Sequence, residues 1–323
     1  MLKIRSCVDL DECARLWARA WPQHCIFDLW EVRLCFASSF GHKPYFLIAE
    51  ESGKIKGFLA LSWVEESQVY GHFPGETWQG KTWLEQNRII AESRQILDIM
   101  LESIPGPLHL RYLTRDSMPD GIFPLAVDEL GYLFFPGSYD FCFDKYMLEF
   151  SGKSRKNLGR EIANLQSGGV AYRYDNCADI DWMFQQNLQS FGETSYFSDP
   201  RFLASYEKLV AWLYDNNLLR VTTVVLKGEI AAVDIGTIWK KGYTVLAGGT
   251  NPEFRGVAKM INLHHMEWAC QQRMYVVDFL CGDFGWKKRF HLSSRPLYEI
   301  HRDSTSVFSS KAACRMAQVT HGY

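Results

Sequence analysis

Residues 218–249 read LLRVTTVVLKGEIAAVDIGTIWKKGYTVLAGG, three β-branched runs punctuated by Lys227-Gly228 and Lys240-Lys241-Gly242. Short glycine-bearing turns between runs rich in Val, Ile and Thr join antiparallel neighbours. The stretch therefore reads as three consecutive strands. A helix over about 257–272 and a strand, YVVDFL at 275–280, follow it. With a helix also in front, this is an α+β order, not the strict strand–helix alternation of a doubly wound sheet.

Upstream, SRKNLGREIANLQSGG (154–169) is a basic amphipathic helix closed by Gly168-Gly169. Strand-like VAYRYD follows, then the helix DIDWMFQQNLQSF with Asp179 and Asp181 at its start, and another helix over about 200–214. The first part of the chain has a similar rhythm. Asp9 and Asp11 precede a helical face of Leu10, Cys13, Leu16, Trp17 and Ala20. PYFLIAEESGKIKGFLALSWV (44–64) reads as a hairpin turning at Ser52-Gly53. A long helix is predicted from about Trp83 to Leu101, stopped by Pro105-Gly106-Pro107, before the strand LHLRYL and the aromatic, strand-rich segment 130–141. The two halves echo each other, as an internal duplication would. Domains are placed at 1–140 and 141–323.

Composition limits the function. Of 323 residues, 47% are hydrophobic, enough for one large or two ordinary cores. The 35 basic and 37 acidic residues leave a net charge of −2 and no bulk field to capture nucleic acid, so DNA is not expected as a partner. Asp9, Asp11 and Glu12 stand where a signal peptide needs an apolar run, and no apolar stretch is long enough to span a membrane. Nine scattered cysteines contain no C-x-x-C pair, which favours reduced thiols in a cytoplasm and no metal cage.

Residues 75–82, GETWQGKT, satisfy the phosphate-loop pattern G-x-x-x-x-G-K-[ST]. Such a loop needs a buried strand running straight into it. Here the preceding ESQVYGHFP is polar and broken by Gly71 and Pro74, and Trp78 places a bulky ring inside the loop. The segment is read as a loop before a helix, with Lys81, Thr82 and that helix start as a contact for an anionic or other substrate group.

The densest region is NPEFRGVAKMINLHHMEWACQQRMYVVDFLCGDFGWKKRF (251–290). A strand ending in GGTNPEFRG, a helix, and a strand ending in DFLCGD before an aromatic residue and Lys287 resemble the C-terminal half of a GNAT-related acyltransferase. The likeness is to the double-domain kind that groups with Fem-type aminoacyl transferases and similar acyltransferases, and the basic stretch FSGKSRKNLGR (150–160) is typical of it. The resemblance spans roughly 140–295, with 1–140 as a more divergent copy. It implies two tandem GNAT-like domains, each a mixed, mostly antiparallel sheet flanked by helices. It also implies transfer of an acyl group from a thioester, acetyl-CoA or another acyl-CoA, to a small-molecule or peptide-like amine. An aminoacyl-tRNA donor, as in Fem-like enzymes, and a non-catalytic ligand-binding descendant are the alternatives. The net charge does not favour tRNA.

The resemblance assigns roles residue by residue. Leu246, Ala247 and Gly248 would offer backbone groups to the donor, while Arg255, Gly256, Lys259 and the helix start behind them would hold phosphate. The family's glycine-rich turn is incomplete, because Val257-Ala258-Lys259 follow Arg255-Gly256. Acyl transfer needs a base and a stabiliser for the carbonyl oxygen. Lys287 is the candidate stabiliser, against a simple solvated lysine. Asp278 and Asp283 are candidate bases or amine anchors, against a paired core carboxylate and a turn cap. Lys153 and Arg155 would line the cleft, or merely solvate a helix face, with Tyr196, Trp286 and Lys81 as further substrate contacts. The loop FGETSYFSDPRF (191–202) would close over the cleft. His264 and His265 stand side by side, but Ile261, His265, Trp268 and Ala269 share one helical face, so His265 reads as a hydrogen-bonded core residue. Cys270 and Cys281 read as structural.

Overall fold

The computed structural model describes residues 2–117, 119, 125–282 and 284–303. The first half runs β1 (Lys3–Cys7), α1 (Leu10–Ala20), α2 (Trp30–Phe40), β2 (Pro44–Glu51), β3 (Lys54–Val64) and β4 (Val69–His72). It continues with the two-residue β5 (Ile90–Ala91), α3 (Arg94–Glu102), β6 (Leu108–Leu113) and β7 (Ala126–Phe134). Two connecting helices, α4 (Phe143–Met147) and α5 (Gly152–Gln166), lead to the second half. That half runs β8 (Val170–Tyr174), α6 (Asp179–Phe191), α7 (Pro200–Asp215), β9 (Leu219–Leu226), β10 (Glu229–Trp239) and β11 (Gly242–Thr250). It ends with α8 (Val257–Gln271), β12 (Val276–Asp278), the short α9 (Trp286–Arg289) and β13 (Ser293–Arg302).

Leaving aside the short insertions, each half repeats strand, helix pair, three strands, helix, two strands. All strands join one mixed, mostly antiparallel sheet ordered β1-β2-β3-β4-β6-β13-β7-β12-β11-β10-β9-β8, with β5 beside β3. This order is a palindrome about the β13–β7 pair, the mark of two related units set around a pseudo-twofold axis. Each half also lends its last strand to the other. β7 of the first half pairs with β12, while β13 of the second pairs with β6. The two parallel contacts occupy equivalent places, β4 with β6 and β11 with β12.

Local chemistry sets the helix ends. Asp9 accepts the Glu12 N–H at 2.8 Å and starts α1, Asp199 accepts from Arg201 and Phe202 to start α7, and Gly41 at φ 71° stops α2. The equivalent helices α2 and α7 meet across the axis in an aromatic core. There Phe36 sits 5.4 Å from Trp83 and 5.7 Å from Phe202, and Tyr206 sits 4.9 Å from Trp83.

One expected element is absent in part. The helix anticipated from Trp83 exists only over Arg94–Glu102. Residues 83–88 form instead a buried strap whose polar side chains bind both halves, which a helix would not allow. Gln86 donates to Asp278 of the second half, while Arg88 pairs with Asp28 at 3.0 Å and Asn87 donates to the Arg111 carbonyl of the first. Thr82 is thus no helix start. The β1, α2, β4 and β13 segments had no counterpart in the sequence reading; β4 forms within ESQVYGHFP, read as too polar and broken for a strand, because the edge of β3 pairs with it. Among the described residues no helix is long and apolar enough to cross a membrane.

Candidate active site

The central feature of the second half is an opening in its own sheet. β11 pairs with β12 only over Gly242–Thr244, so Val245–Thr250 has no strand neighbour on that side. Two of its carbonyls are served by side chains instead: Tyr206 Oη donates to Leu246 O at 2.8 Å and Asn187 Nδ2 to Gly248 O at 3.0 Å. A cavity of about 590 Å³ fills the opening. Leu246, Ala247 and Gly248 line it, as do Lys81, Tyr196, Trp286 and Lys287. Seven of the residues singled out from the sequence therefore converge on one space.

Others do not. Arg255, Gly256 and Lys259 line a neighbouring recess at the start of α8. Gly256 stands at φ 96° directly before that helix, a conformation that suits glycine, and Lys259 Nζ pairs with Glu161 at 2.5 Å. Lys153 is exposed on α5, and Arg155 donates to the Met147 carbonyl at 3.3 Å; neither reaches the cavity, and α5 instead borders the neighbouring recess through Glu161, Asn164 and Leu165. Asp283 lies outside the described residues. Asp278 is buried and satisfied as a structural carboxylate. It accepts from Gln86 Nε2 at 2.9 Å, Arg295 Nη2 at 3.0 Å and the Leu280 N–H at 2.9 Å, and it does not line the cavity. A base role for Asp278 is corrected accordingly.

Lys287 is not solvated: 3% of it is exposed. Nζ donates to the carbonyls of Phe279, Leu280 and Cys281 at 2.8, 2.9 and 2.7 Å. Its three N–H groups are thereby spent on the chain as it leaves β12. Burial lowers its pKa, opposed by Glu85. Lys287 is a positioning residue that shapes the cavity wall and contributes charge, with no hydrogen left for a substrate oxygen. The 191–202 segment is likewise no loose lid. It folds into two 3-10 turns, and Tyr196 Oη donates to Thr82 O at 3.1 Å while its ring lies 5.6 Å from Trp78.

The sequence reading missed a buried carboxyl in the cavity wall. Glu85, on the buried strap, is 5% exposed and lines the cavity. Its Oε1 accepts the Cys281 N–H at 2.7 Å, and its Oε2 has no partner. Burial, then the neighbouring Asp278 charge, push its pKa up to about 7. The only signal in the sequence was an isolated glutamate in WLEQNR, which helical periodicity would have placed on a solvated face. A second carboxylate, Asp234 of β10, also lines the cavity, and its Oδ2 bonds His265 Nε2 at 2.9 Å. His265 is fully buried, with Tyr243 Oη 3.4 Å from Nδ1, so it is the bonded core histidine expected. A Cβ on Gly248 would fall 2.1 Å from Asp234 Oδ1, so only glycine lets this carboxylate lie across β11. Burial likewise raises the Cys270 thiol to about 11 and the Cys281 thiol further still, which leaves neither a ready nucleophile. Among the described residues no cluster of His, Cys, Asp and Glu suits a metal ion.

GETWQGKT is a tight turn. Trp78 and Lys81 exchange backbone hydrogen bonds at 2.9 Å, with Gln79 and Gly80 at φ 48° and 73°. The anion in its cradle belongs to the chain: Glu76 Oε1 accepts from Thr82 Oγ1 and from the N–H groups of Trp83 and Leu84.

Comparison with known proteins agrees with this geometry. Residues 152–288 match the family described as acetyltransferase (GNAT) domain. The sequence matches no curated protein. Among solved structures, FemX shares the fold at a TM-score of 0.58 and 10% identity, over 92% of this chain and 96% of its own. L-PGS from Bacillus licheniformis does so at 0.54 and 10% identity, over 93% and 94%. The C-terminal domain of a putative lysylphosphatidylglycerol synthetase from Agrobacterium fabrum gives 0.53 and 10%, over 90% and 91%. The β11–β12 opening thus lies within a segment that matches a GNAT acetyltransferase domain, and the chain over most of its length shares the fold of FemX.

Proposed function

We propose that the cavity moves an acyl group from a thioester, acetyl-CoA or another acyl-CoA, to an amine, with Glu85 as the base. The observation that carries this reading is the unpartnered Oε2 of a buried carboxyl whose pKa lies at about 7, in the wall of the opening. A base titrating near the working pH is ionised often enough to act and basic enough to pull a proton. The thioester supplies an activated acyl carbon and a leaving sulfur. Glu85 Oε2 accepts the proton that the amine sheds as its nitrogen bonds that carbon, and can hand it on to the departing sulfur. The carboxylates of Glu85, Glu129 and Asp234 favour an ammonium-bearing acceptor, and Tyr196, Trp286 and Lys81 flank it. In this reading residues 141–323 hold the donor, and 1–140 contribute the base and one wall. The unpaired thiols of the eight described cysteines suit a cytoplasmic setting.

The residues around the opening fit a donor with a linear arm. Val245–Thr250 offers a free strand edge, and the recess of Arg255, Gly256 and Lys259 lies at the start of α8, where phosphate would sit. A second reading, an aminoacyl-tRNA donor, is favoured by two features. Lys259 is already neutralised by Glu161, and Val257 and Ala258 replace the glycines of a pyrophosphate turn.

The discriminating experiment offers coenzyme A, acetyl-CoA and a mixture of aminoacyl-tRNAs to the protein. Stabilisation by coenzyme A with acyl transfer to a polyamine or amino-sugar panel supports the thioester reading. Transfer from tRNA alone moves the donor to the second reading. Unchanged transfer by Glu85→Gln sinks the base assignment under either donor.

A further inference from the structure

The repeat places a second opening in the sheet. β4 and β6 are the first-half counterparts of β11 and β12, and they too run parallel and pair at a single point, Tyr70 with Leu108. A cavity of about 130 Å³ lies beside them, lined by β4, β6, the strap and the 75–82 turn, which covers what is an open cleft in the second half. Its polar groups are unusual. Arg33, His72 and Asn87 are 1%, 8% and 2% exposed, yet Arg33 Nη2, both ring nitrogens of His72 and Asn87 Oδ1 have no partner.

Each unmet buried polar atom costs roughly 1–3 kcal/mol, and an apolar residue of similar shape would cost nothing. A cavity kept by chance would have filled with aliphatic carbon. Its charge also leans one way. Arg33 and Lys81 line it against the single acid Glu76, whose Oε1 is already occupied by Thr82, Trp83 and Leu84, while the charge of Arg111 is met by Asp128. Burial, reinforced by Arg33, pushes His72 down to about 3, so its ring is neutral and presents one N–H and one lone pair. The free groups are thus a guanidinium N–H and an imidazole N–H as donors, with an amide oxygen and an imidazole nitrogen as acceptors.

We propose that this first-half cavity is a binding site for a small hydroxylated oxyanion, such as hydrogen phosphate or a two-carbon hydroxy acid. Arg33 Nη2 and His72 donate to the anionic oxygens, and Asn87 Oδ1 accepts from the hydroxyl. The space holds about four water volumes at ~30 Å³ each, which suits an anion of about five heavy atoms. Lys81 and Thr82 line both this cavity and the larger one. A bound anion therefore fixes the wall against which the acyl acceptor sits.

The test is a thermal-shift and calorimetric titration of the full chain with sodium phosphate and sodium glycolate, chloride balancing the ionic strength. Saturable binding of either probe is expected, weakened at least tenfold in Arg33→Met and in His72→Phe and unchanged in the surface variant Lys54→Ala. If Arg33→Met does not fold, His72→Phe and Thr77→Trp, which both fill the cavity, decide the matter. A response that survives in those filled variants, one lost only in Lys259→Ala, or no saturable response to either anion overturns the proposal. Phosphate binding without glycolate binding, or the reverse, identifies which oxyanion the site takes.

Discussion

Glu85 and Cys281 lie 196 positions apart, yet the carboxylate of one accepts the backbone N–H of the other at 2.7 Å. The bond fixes one carboxyl oxygen across the junction of the halves and leaves the second facing the cavity. It also joins the first-half strap to the segment that Lys287 grips through three carbonyls. Carboxylate and wall are held as one unit.

Transfer activity should follow the ionisation of Glu85. With a pKa of about 7, kcat/KM rises roughly tenfold per pH unit below neutrality and levels off above it. Glu85→Gln should lose about 10²–10⁴ in kcat/KM and abolish this limb of the profile. A variant with unchanged pH dependence would place the base elsewhere.

The same group costs stability when it ionises. Its folded pKa lies above the ordinary carboxylate value, so the folded state binds more protons, and stability falls as pH rises from about 4.5 to about 7. Urea unfolding of Glu85→Gln should therefore show a gain over the parent at pH 8, up to about 3 kcal/mol, that vanishes near pH 4.5. Equal gains at both pH values would mean that ionisation is not the cause.

Lys287→Met should cost about 2–4 kcal/mol, since three buried carbonyls lose their donor and the surrounding fold is unchanged. If Lys287 instead acted directly on substrate, the variant would keep its urea midpoint and lose only kcat.

Gly248→Ala forces its Cβ against Asp234 Oδ1, which must leave its place beside His265. Strain of this kind costs about 1–3 kcal/mol, and donor affinity should fall with it. Calorimetry with coenzyme A reads both effects, and Gly159→Ala, with open space around the added carbon, serves as control.

Mg-ATP should leave the melting temperature unmoved. The turn that matches a phosphate loop already holds the Glu76 carboxylate where a phosphate would bind. Saturable stabilisation by Mg-ATP, lost in Lys81→Ala, would reverse this.

The second half was legible because its signals are local. The strands at 218–249 carry their turns in the sequence, and the opening follows from a strand that leaves its neighbour after three residues. Lys287 and Leu246–Gly248 were reached through the family resemblance that this local order carries. Glu85 was not, because its meaning comes from Cys281 and Asp278, far along the chain, and WLEQNR looks helical until its polar side chains find partners in both halves. β13 escaped for a similar reason: SSRPLYEIHR carries a proline and charges, and only the waiting edges of β6 and β7 make it a strand.

The exchanged last strands also govern how this protein can be made. While a ribosome is still synthesising the second half, β6 presents a bare edge, because its neighbour β13 spans Ser293–Arg302. The middle of the sheet closes only when nearly every residue described has been translated. Until then the nascent chain exposes a sticky seam. A second nascent copy offering its own β13 could fill that seam, making strand-swapped dimers the natural failure of rapid overexpression.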